Sequence, residues 1–164
     1  KTAFDVKVDV GDLQSIKYAN NSFDAVTLSN VIEHLNNPLS LMEEAYRILN
    51  DGGRFVSISP NPNSILHKRY RQFWRGLEPP RHLILLPHQT LKNLAKQAGF
   101  KSVFSFTSGA GMELSEKASQ EIVHKANATD VDTKNLSKSL ISFLKLASLL
   151  GFATGEFCVV IADK

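Results

Sequence analysis

The pair Glu33-His34 is the chemically richest pair of neighbours in this sequence. A histidine beside a carboxylate can take the proton from a hydroxyl group, because the imidazole pKa lies close to neutrality. A second pair, Arg81-His82, follows the dipeptide Pro79-Pro80, which makes the loop that carries the pair rigid. Each pair also has a structural interpretation, in which its side chains only fix a turn or a loop through hydrogen bonds to the backbone.

Two apolar segments must position these side chains. Residues 24–29 have the composition of a buried parallel strand and lead into Asn30. Residues 54–59 follow a Gly-Gly turn and lead into Pro60 and Asn61. Parallel strands carry their chemistry at their carboxyl ends, so we expect Ser29-Asn30 and Ser59-Pro60-Asn61 to face one cleft.

A helix is predicted between the two segments. Asn37 is its expected N-cap, and Pro38 fits its first turn. The apolar residues of the following stretch recur at helical spacing on one face: Leu39, Met42, Ala45, Tyr46 and Leu49. The order strand, helix, strand predicts an α/β fold with a parallel sheet.

The alternation of strands and helices continues on both sides of this unit. One strand is expected before it, at residues 5–10. Helices are expected after it at 87–99, 112–126 and 136–152, with strands at 101–107 and 156–162. The last helix places most of its apolar side chains on one side, namely Leu136, Leu140, Phe143, Leu144, Ala147 and Leu150. It is predicted to act as a lid or to cover an edge of the sheet.

Residues 23–35 and 49–61, in this order and spacing, resemble the second half of a class I S-adenosylmethionine-dependent methyltransferase. The resemblance is to the broad group that includes quinone-biosynthesis and glycan-modifying enzymes, and it extends from about Val8 to Phe100. It implies a partial Rossmann-like α/β sheet that is mostly parallel, with its last strand antiparallel. It also implies one domain over residues 1–164, in which insertions at 60–86 and 108–155 cover the substrate.

The glycine-rich start of this family is missing from the sequence. Members open with a strand, a Gly-x-Gly-x-Gly turn that lets the backbone approach the cofactor, a helix and a second strand. No such glycine motif precedes Gly11. We therefore expect a truncated domain that lacks the first two strands and the glycine-rich loop and does not bind cofactor by itself. Its open sheet edges should either pair residues 5–10 directly with 24–29 or lead to self-association.

The resemblance implies S-adenosylmethionine as the cofactor, bound together with the missing amino-terminal part. Asp12 stands where the family accepts a hydrogen bond from the adenine amino group, and Leu13 where a backbone amide meets a ring nitrogen. Asn30 stands where the family approaches the methionine part of the cofactor. The alternatives are structural: Asp12 caps or turns the chain, and Asn30 satisfies backbone groups at a helix entry.

For the reaction, the resemblance gives a function to the insertion that contains residues 73–83. Methyl transfer to oxygen or nitrogen needs in-line placement of the nucleophile and removal of its proton. His82 is the first candidate base, with His34 and Glu33 as further catalytic candidates. The predicted substrate contacts are Trp74, Arg81 and Asn61. In the structural alternative, Trp74 packs the loop onto the domain and His82 bonds to the backbone.

The use of a divalent metal is open at Glu33-His34. Some quinone O-methyltransferases that resemble this chain carry Glu-x-x-Glu-His at this point and bind a metal with it. Here Asn30 takes the place of the first glutamate, so one carboxylate ligand is lost. The sequence favours a structural Glu-His turn over a metal site.

Composition and charge narrow the possible partners. The 164 residues carry a net charge of only +3, which by itself does not indicate nucleic acid. The basic run at residues 67–71 allows contact with RNA or a phosphate group, but such a run is usually a solvated helix face. The single cysteine, Cys158, excludes an internal disulfide and favours a reducing, cytoplasmic compartment. Residues 136–152 contain two lysines and are too short to span a membrane.

The leading functional hypothesis is S-adenosylmethionine-dependent methyl transfer to an oxygen or nitrogen of a small or lipid- or sugar-linked acceptor. The chain itself is expected to be inactive without the missing part. An alternative is a non-catalytic α/β binding or scaffolding module, against which the polar residues Asp12 and Asn30 argue, since a scaffold needs no polar cleft. A nicotinamide-dependent oxidoreductase is a third hypothesis, but its own glycine fingerprint is absent from the sequence.

Overall fold

A computed structural model of the protein describes residues 7–152 and 154–164. Four strands form one sheet in the order β1-β2-β4-β3: β1 Phe23–Ser29, β2 Leu49–Pro60, β3 Ser102–Ser108 and β4 Phe157–Asp163. The helices are α1 Leu13–Ile16, α2 Pro38–Ile48, α3 Ile65–Tyr70, α4 His88–Gln97, α5 Met112–Lys125 and α6 Lys138–Leu149. Two 3-10 turns, Ile32–His34 and Arg71–Phe73, complete the described elements.

The sheet is mixed, as the resemblance implied. β1 and β2 are parallel, whereas β4 runs antiparallel to both β2 and β3. Ser29 pairs with Ile58 near the carboxyl ends of β1 and β2. The Asn30 amide then donates a 2.9 Å hydrogen bond to the Ile58 carbonyl oxygen. The two strand ends therefore lie side by side, which confirms the predicted strand–helix–strand unit.

β1 is less buried than the sequence predicted. Its residues are half-buried or exposed, because β2 is its only strand partner among the described residues. Residues 7–10 are exposed and form no strand, so the expected strand and its direct pairing with β1 are wrong for these four positions. A short segment without a hydrogen-bonded neighbour does not hold strand geometry. Asp5 and Val6 lie outside the described residues, and self-association stays a prediction.

α2 and α4 are the helices that the apolar spacing predicted. The Asn37 side chain caps α2 by accepting a 3.2 Å hydrogen bond from the Ser40 amide. The inward-facing side chains of the two helices are fully buried, including Met42, Ala45, Leu91 and Ala95. These two helices therefore cover the sheet as the pattern indicated.

α6 lies where it was predicted but turns a different face inward. The buried side chains are Ile141, Leu144 and Ala147, whereas Leu140, Phe143 and Leu150 are exposed. The apolar side predicted from the spacing is therefore buried only in part, at Leu144 and Ala147. Spacings of three and four residues fit both stripes, so the contact with β3 decides which side packs. Neither α6 nor any other described helix has the length and apolar character needed to cross a membrane.

The buried apolar side chains form two clusters. The sheet cluster is contributed by the sheet, α2 and α4, and it includes Phe55, Leu91, Ala95, Phe100 and Val160. The cover cluster is contributed by α3, the loop after it, α5 and α6, and it contains Leu66, Tyr70, Trp74, Met112, Val123, Ile141 and Leu144. The cover cluster thus joins residues from both predicted insertions, 60–86 and 108–155.

Candidate active site

A cleft of about 510 Å³ opens at the carboxyl ends of β1 and β2. Asn30 and Pro60 line it from the two strand ends, and Leu114 and Ser115 line it from α5. Its ionisable lining residues are His34, Arg75, Glu78, Arg81, His82 and Glu156. This is the edge at which a parallel sheet carries its ligands.

Two loops that are remote in sequence dock on each other at this cleft. The amides of Leu83 and Ile84 donate hydrogen bonds of 2.7 and 3.2 Å to the Glu33 carbonyl oxygen. The His34 Nδ1 atom lies 2.7 Å from the Arg81 carbonyl oxygen, and because a carbonyl only accepts, Nδ1 carries the proton. The expected rigid loop therefore does bring Arg81 to the strand ends.

Glu33, His34 and His82 form a compact group, the Glu-His cluster. The His82 Nε2 atom lies 3.9 Å from one Glu33 carboxylate oxygen and 3.7 Å from a Glu78 carboxylate oxygen. The two imidazole centres are 4.8 Å apart. The His82 Nδ1 atom donates to the Gly76 carbonyl oxygen over 2.7 Å, which leaves Nε2 as the accepting nitrogen of the neutral ring.

The two carboxylates beside His82 differ in their preference for charge. Burial raises the pKa of Glu33, and its local backbone and the neighbouring histidines only partly offset this effect. A hydrogen bond from Arg75 lowers the pKa of Glu78, and the positive charge of Arg81 adds to the shift. Glu78 is therefore the carboxylate that stays ionised, whereas burial favours the protonated form of Glu33. The exposed Arg81 lines the cleft and is paired with Glu78.

Glu156, just before β4, is a buried acid of the cleft that the sequence did not single out. It accepts a 2.7 Å hydrogen bond from the Trp74 indole and another from the Ser115 hydroxyl. Burial raises its pKa to about 6, although these hydrogen bonds oppose the shift. Trp74 is buried in the cover cluster, behind Glu156 rather than on the lining of the cleft. Its contact with a substrate stays a prediction.

Asn61 is buried next to Glu156. Its backbone amide donates a 2.9 Å hydrogen bond to the Glu156 carbonyl oxygen, and its side-chain amide donates 2.8 Å to the Gly155 carbonyl oxygen. These bonds hold the chain before β4, and Asn61 is not among the lining residues of the cleft. Of the residues expected to face one cleft, Asn30 and Pro60 line it, whereas Asn61 does not, because its polar groups satisfy buried backbone. The contact of Asn61 with a substrate stays a prediction.

Asp12 and Leu13 lie in a separate recess of about 570 Å³, beside Thr27 of β1. The Asp12 carboxylate accepts a 2.7 Å hydrogen bond from the Ser15 amide and caps α1. The structural interpretation of Asp12 as a cap is confirmed, and its contact with adenine stays a prediction. Asn30 lines the other cleft, so the three predicted cofactor residues are divided between two recesses.

Sequence reasoning missed Arg75, Glu78 and Glu156 as cleft residues. Arg75 and Glu78 form an ion pair three positions apart, and opposite charges at this spacing were the available signal. Glu156 gave no local signal, because its partners Trp74 and Ser115 come from distant parts of the chain.

Comparison with known proteins identifies the family. A protein-family model described as a methyltransferase domain matches residues 3–104, more than half of the chain. Over 95 residues, 57% of the chain, the sequence is 32% identical to the biotin biosynthesis bifunctional protein of Teredinibacter turnerae and covers 16% of it. Over 73 residues, 43% of the chain, it is 37% identical to a ubiquinone/menaquinone biosynthesis C-methyltransferase of Dinoroseobacter shibae and covers 29% of it.

Solved structures have the same fold. A SAM-dependent methyltransferase from Archaeoglobus fulgidus superposes with a TM-score of 0.58 at 20% identity, covering 96% of this chain and 66% of that one. Phosphoethanolamine N-methyltransferase 2 of Haemonchus contortus, in complex with S-adenosyl-L-methionine, gives 0.56 at 17% identity and covers 93% and 36%. The chain thus spans between 16% and 66% of the length of these four proteins. With its mixed sheet and the match over residues 3–104, the chain belongs to the class I S-adenosylmethionine-dependent methyltransferase family.

Proposed function

We propose that this chain supplies the acceptor side of a methyltransferase active site, which transfers a methyl group from S-adenosylmethionine to an oxygen or nitrogen of a small or lipid- or sugar-linked acceptor. The observation that supports this most is that His34 and His82 of the Glu-His cluster line the cleft at the strand ends together with Asn30. A cleft of about 510 Å³ suits a small acceptor or the reactive end of a larger one.

The reaction needs a nucleophile that loses one proton. The lone pair of the acceptor attacks the methyl carbon, the sulfur–carbon bond breaks with its electron pair passing to sulfur, and the acceptor proton passes to a base. His82 is the first candidate base, since its Nδ1–H bonds to Gly76 and its Nε2 can accept. The Glu78 carboxylate, 3.7 Å from Nε2, stabilises the imidazolium that forms. His34 is the second candidate, and Glu33 adjoins both rings.

The cleft suits an acceptor that carries an anionic group. Arg75 and Arg81 lie on its lining and share Glu78 as their ion-pair partner. Guanidinium groups bind phosphate and carboxylate through paired hydrogen bonds. Leu114 is an exposed apolar residue of the same lining, against which a lipid-linked acceptor could extend. Trp74 and Asn61 both form hydrogen bonds to Glu156. They would therefore affect the acceptor by holding Glu156 in place on the cleft lining.

The cofactor side of the proposal uses Asp12, Leu13 and Asn30. We further propose that this chain alone holds S-adenosylmethionine poorly, because the sequence contains no Gly-x-Gly-x-Gly turn through which the backbone approaches the cofactor. On this proposal the chain is incomplete for catalysis. The cap that Asp12 provides to Ser15 uses one carboxylate oxygen, which leaves the other for the adenine amino group.

Calorimetric titration with S-adenosylhomocysteine tests both parts of the proposal. The two samples are this chain and a form extended at its amino terminus by a strand, glycine-rich turn, helix and second strand. We expect binding by the extended form only. Absence of binding by both forms would contradict the proposed function, whereas equal binding by both would contradict only the proposed incompleteness.

Substitution of His82 tests the acceptor side. In the extended form, His82→Gln should lower kcat by about 10²- to 10⁴-fold and leave the affinity for S-adenosylhomocysteine unchanged. The control is His124→Gln, an exposed position on α5 outside the cleft, which should change neither quantity. An unchanged kcat in His82→Gln would remove His82 from the reaction.

A non-catalytic α/β binding or scaffolding module is the second candidate function. β1 has one edge without a partner among the described residues. Phe143 and Leu146 are exposed on α6, and Leu150 is exposed just after it. Open strand edges and exposed apolar groups recruit partners, including a second copy of the same chain. Concentration-dependent association measured by sedimentation, without any binding of S-adenosylhomocysteine, would favour this module over the enzyme.

We also propose a reducing, cytoplasmic setting. Cys158 is the only cysteine of the sequence and is buried in β4. Burial raises the pKa of its thiol to about 12, so it is protonated and poorly reactive. Labelling by a thiol reagent should therefore be slow in the folded protein and fast after unfolding.

A further inference from the structure

The Glu-His cluster brings together three side chains of the types that bind metal ions. One ligand atom from each of Glu33, His34 and His82 lies within 4.8 Å of the other two. Metal bonds of about 2.0–2.2 Å allow two ligands of one ion to be at most about 4.3 Å apart. The largest separation between the three atoms, 4.8 Å, therefore exceeds the limit for one ion by only about 0.5 Å.

Both histidines are oriented as metal ligands are. Each uses Nδ1 for a 2.7 Å hydrogen bond to a backbone carbonyl oxygen, that of Arg81 for His34 and that of Gly76 for His82. A histidine that binds a metal through one nitrogen normally donates its other N–H in this way, which fixes the tautomer and the direction of the ring. The Nε2 atoms of both rings are left with their lone pairs available.

Glu33 provides an independent indication of a ligand. Its side chain is 1% exposed, and neither carboxylate oxygen has a hydrogen-bond partner. Buried polar groups are nearly always hydrogen-bonded, since an unpaired one is costly. A cation between Glu33 and the two histidines would satisfy this carboxylate.

We propose that Glu33, His34 and His82 form a binding site for one divalent transition-metal ion, of the kind represented by Zn²⁺ or Co²⁺. Two imidazoles and one carboxylate favour these ions over Mg²⁺ and Ca²⁺, which prefer oxygen ligands.

The role of the metal in catalysis rests on the proposed function. His34 and His82 line the cleft, so an oxygen of the acceptor could take an open position on the ion. A bound metal would lower the pKa of a coordinated hydroxyl group. With His82 as a ligand, the acceptor proton would pass to Glu78, the ionised carboxylate on the same lining. Metal binding is measurable without methyl transfer, so the site and the proposed function can fail separately.

Titration of the purified protein with Co²⁺, followed by visible absorption, tests the site. We expect saturation at one Co²⁺ per chain and displacement of Co²⁺ by Zn²⁺. Each of Glu33→Gln, His34→Gln and His82→Gln should raise the Kd for Co²⁺ by at least about 100-fold, since loss of even a supporting hydrogen bond costs about 10- to 100-fold. His124→Gln is the matched control and should bind as the unsubstituted protein does.

His34→Gln is the decisive variant, because His34 is only partly buried and its loss should leave the fold intact by circular dichroism. An unchanged Co²⁺ affinity in folded His34→Gln would overturn the metal site, and so would an equal loss of affinity in His124→Gln. Metal binding by a chain whose extended form transfers no methyl group would support the site and overturn the proposed function. Methyl transfer that persists under chelation, in a protein that binds no Co²⁺, would overturn the site alone.

Discussion

The sheet cluster and the cover cluster differ in the polar groups that surround them. Among the described residues, the buried carboxylates are Glu33, Glu116 and Glu156, and all three lie outside the strands, α2 and α4. Glu116 accepts a 2.8 Å hydrogen bond from the Leu136 amide, and Glu156 accepts one from Trp74. Burial of a carboxylate is tolerated where such partners exist. The difference indicates that the sheet provides a packed support, while the cover and its contact with the strand ends carry the specific chemistry.

The largest effect should follow the loss of Trp74 from the cover cluster. Trp74→Ala removes a side chain that is 1% exposed, together with its hydrogen bond to Glu156, so we expect the free energy of unfolding to fall by about 3–5 kcal/mol. Phe55→Ala is the matched change in the sheet cluster, with an expected loss of about 3–5 kcal/mol as well. Urea unfolding followed by circular dichroism measures both. If Trp74→Ala had the same urea midpoint as the unsubstituted protein, the cover cluster would not unfold together with the sheet.

Glu156 should give the cover a dependence on pH. Burial raises its pKa from 4.5 to about 6, so the folded state binds the proton more tightly than the unfolded state. The stability from this group is fully present below pH 4.5 and is lost as the pH rises through 6, by about 2 kcal/mol in total.

The variant Glu156→Gln isolates this effect, because its amide does not titrate and can still accept from Trp74. The difference in unfolding free energy between the unsubstituted protein and Glu156→Gln should change by about 2 kcal/mol between pH 4 and pH 8. Other ionisable groups cancel in this difference. A value independent of pH would show that Glu156 is solvated in the folded protein and that the cover is more open than described.

The elements around the sheet cluster could be predicted from the sequence, because the residues that indicate each of them are close together in the chain. The cap at Asn37 and the apolar spacing of the following residues gave α2, and the apolar runs gave β1 and β2. The errors concern one expected strand and the neighbours of another. Residues 7–10 form no strand, and β1 is exposed, because strand pairing depends on segments that a local pattern does not reveal.

The cover and the cleft could be predicted only in part. α5 and α6 occur where the spacing indicated, and the Arg81-His82 loop reaches the strand ends. The approach of His82 to Glu33 and the bond from Trp74 to Glu156 join residues that are far apart in sequence. Such contacts are fixed by tertiary packing, so residue types could nominate His82 and Glu33 but could not reveal Glu156.

A smaller effect is expected from the cap of α2, in the sheet half. Asn37→Ala removes the acceptor for the Ser40 amide and should lower the free energy of unfolding by about 1 kcal/mol. The neighbouring exposed Asn36 is the control, and Asn36→Ala should change stability by less than about 0.5 kcal/mol. Equal effects of the two changes, measured by urea unfolding, would mean that the Asn37 cap contributes nothing.

The smallest effect should come from Phe143 on the cover. Phe143 is 64% exposed, so Phe143→Ser should change the free energy of unfolding by no more than about 0.5 kcal/mol. The next residue, Leu144, is buried in the cover cluster, and Leu144→Ala should cost about 2–5 kcal/mol. The sequence pattern placed both residues on one apolar side of the helix, so this pair of variants shows which of the two is packed. A loss above about 1 kcal/mol in Phe143→Ser would mean that Phe143 is packed against another group in solution. If that loss depended on protein concentration, the group would belong to a second copy of the chain.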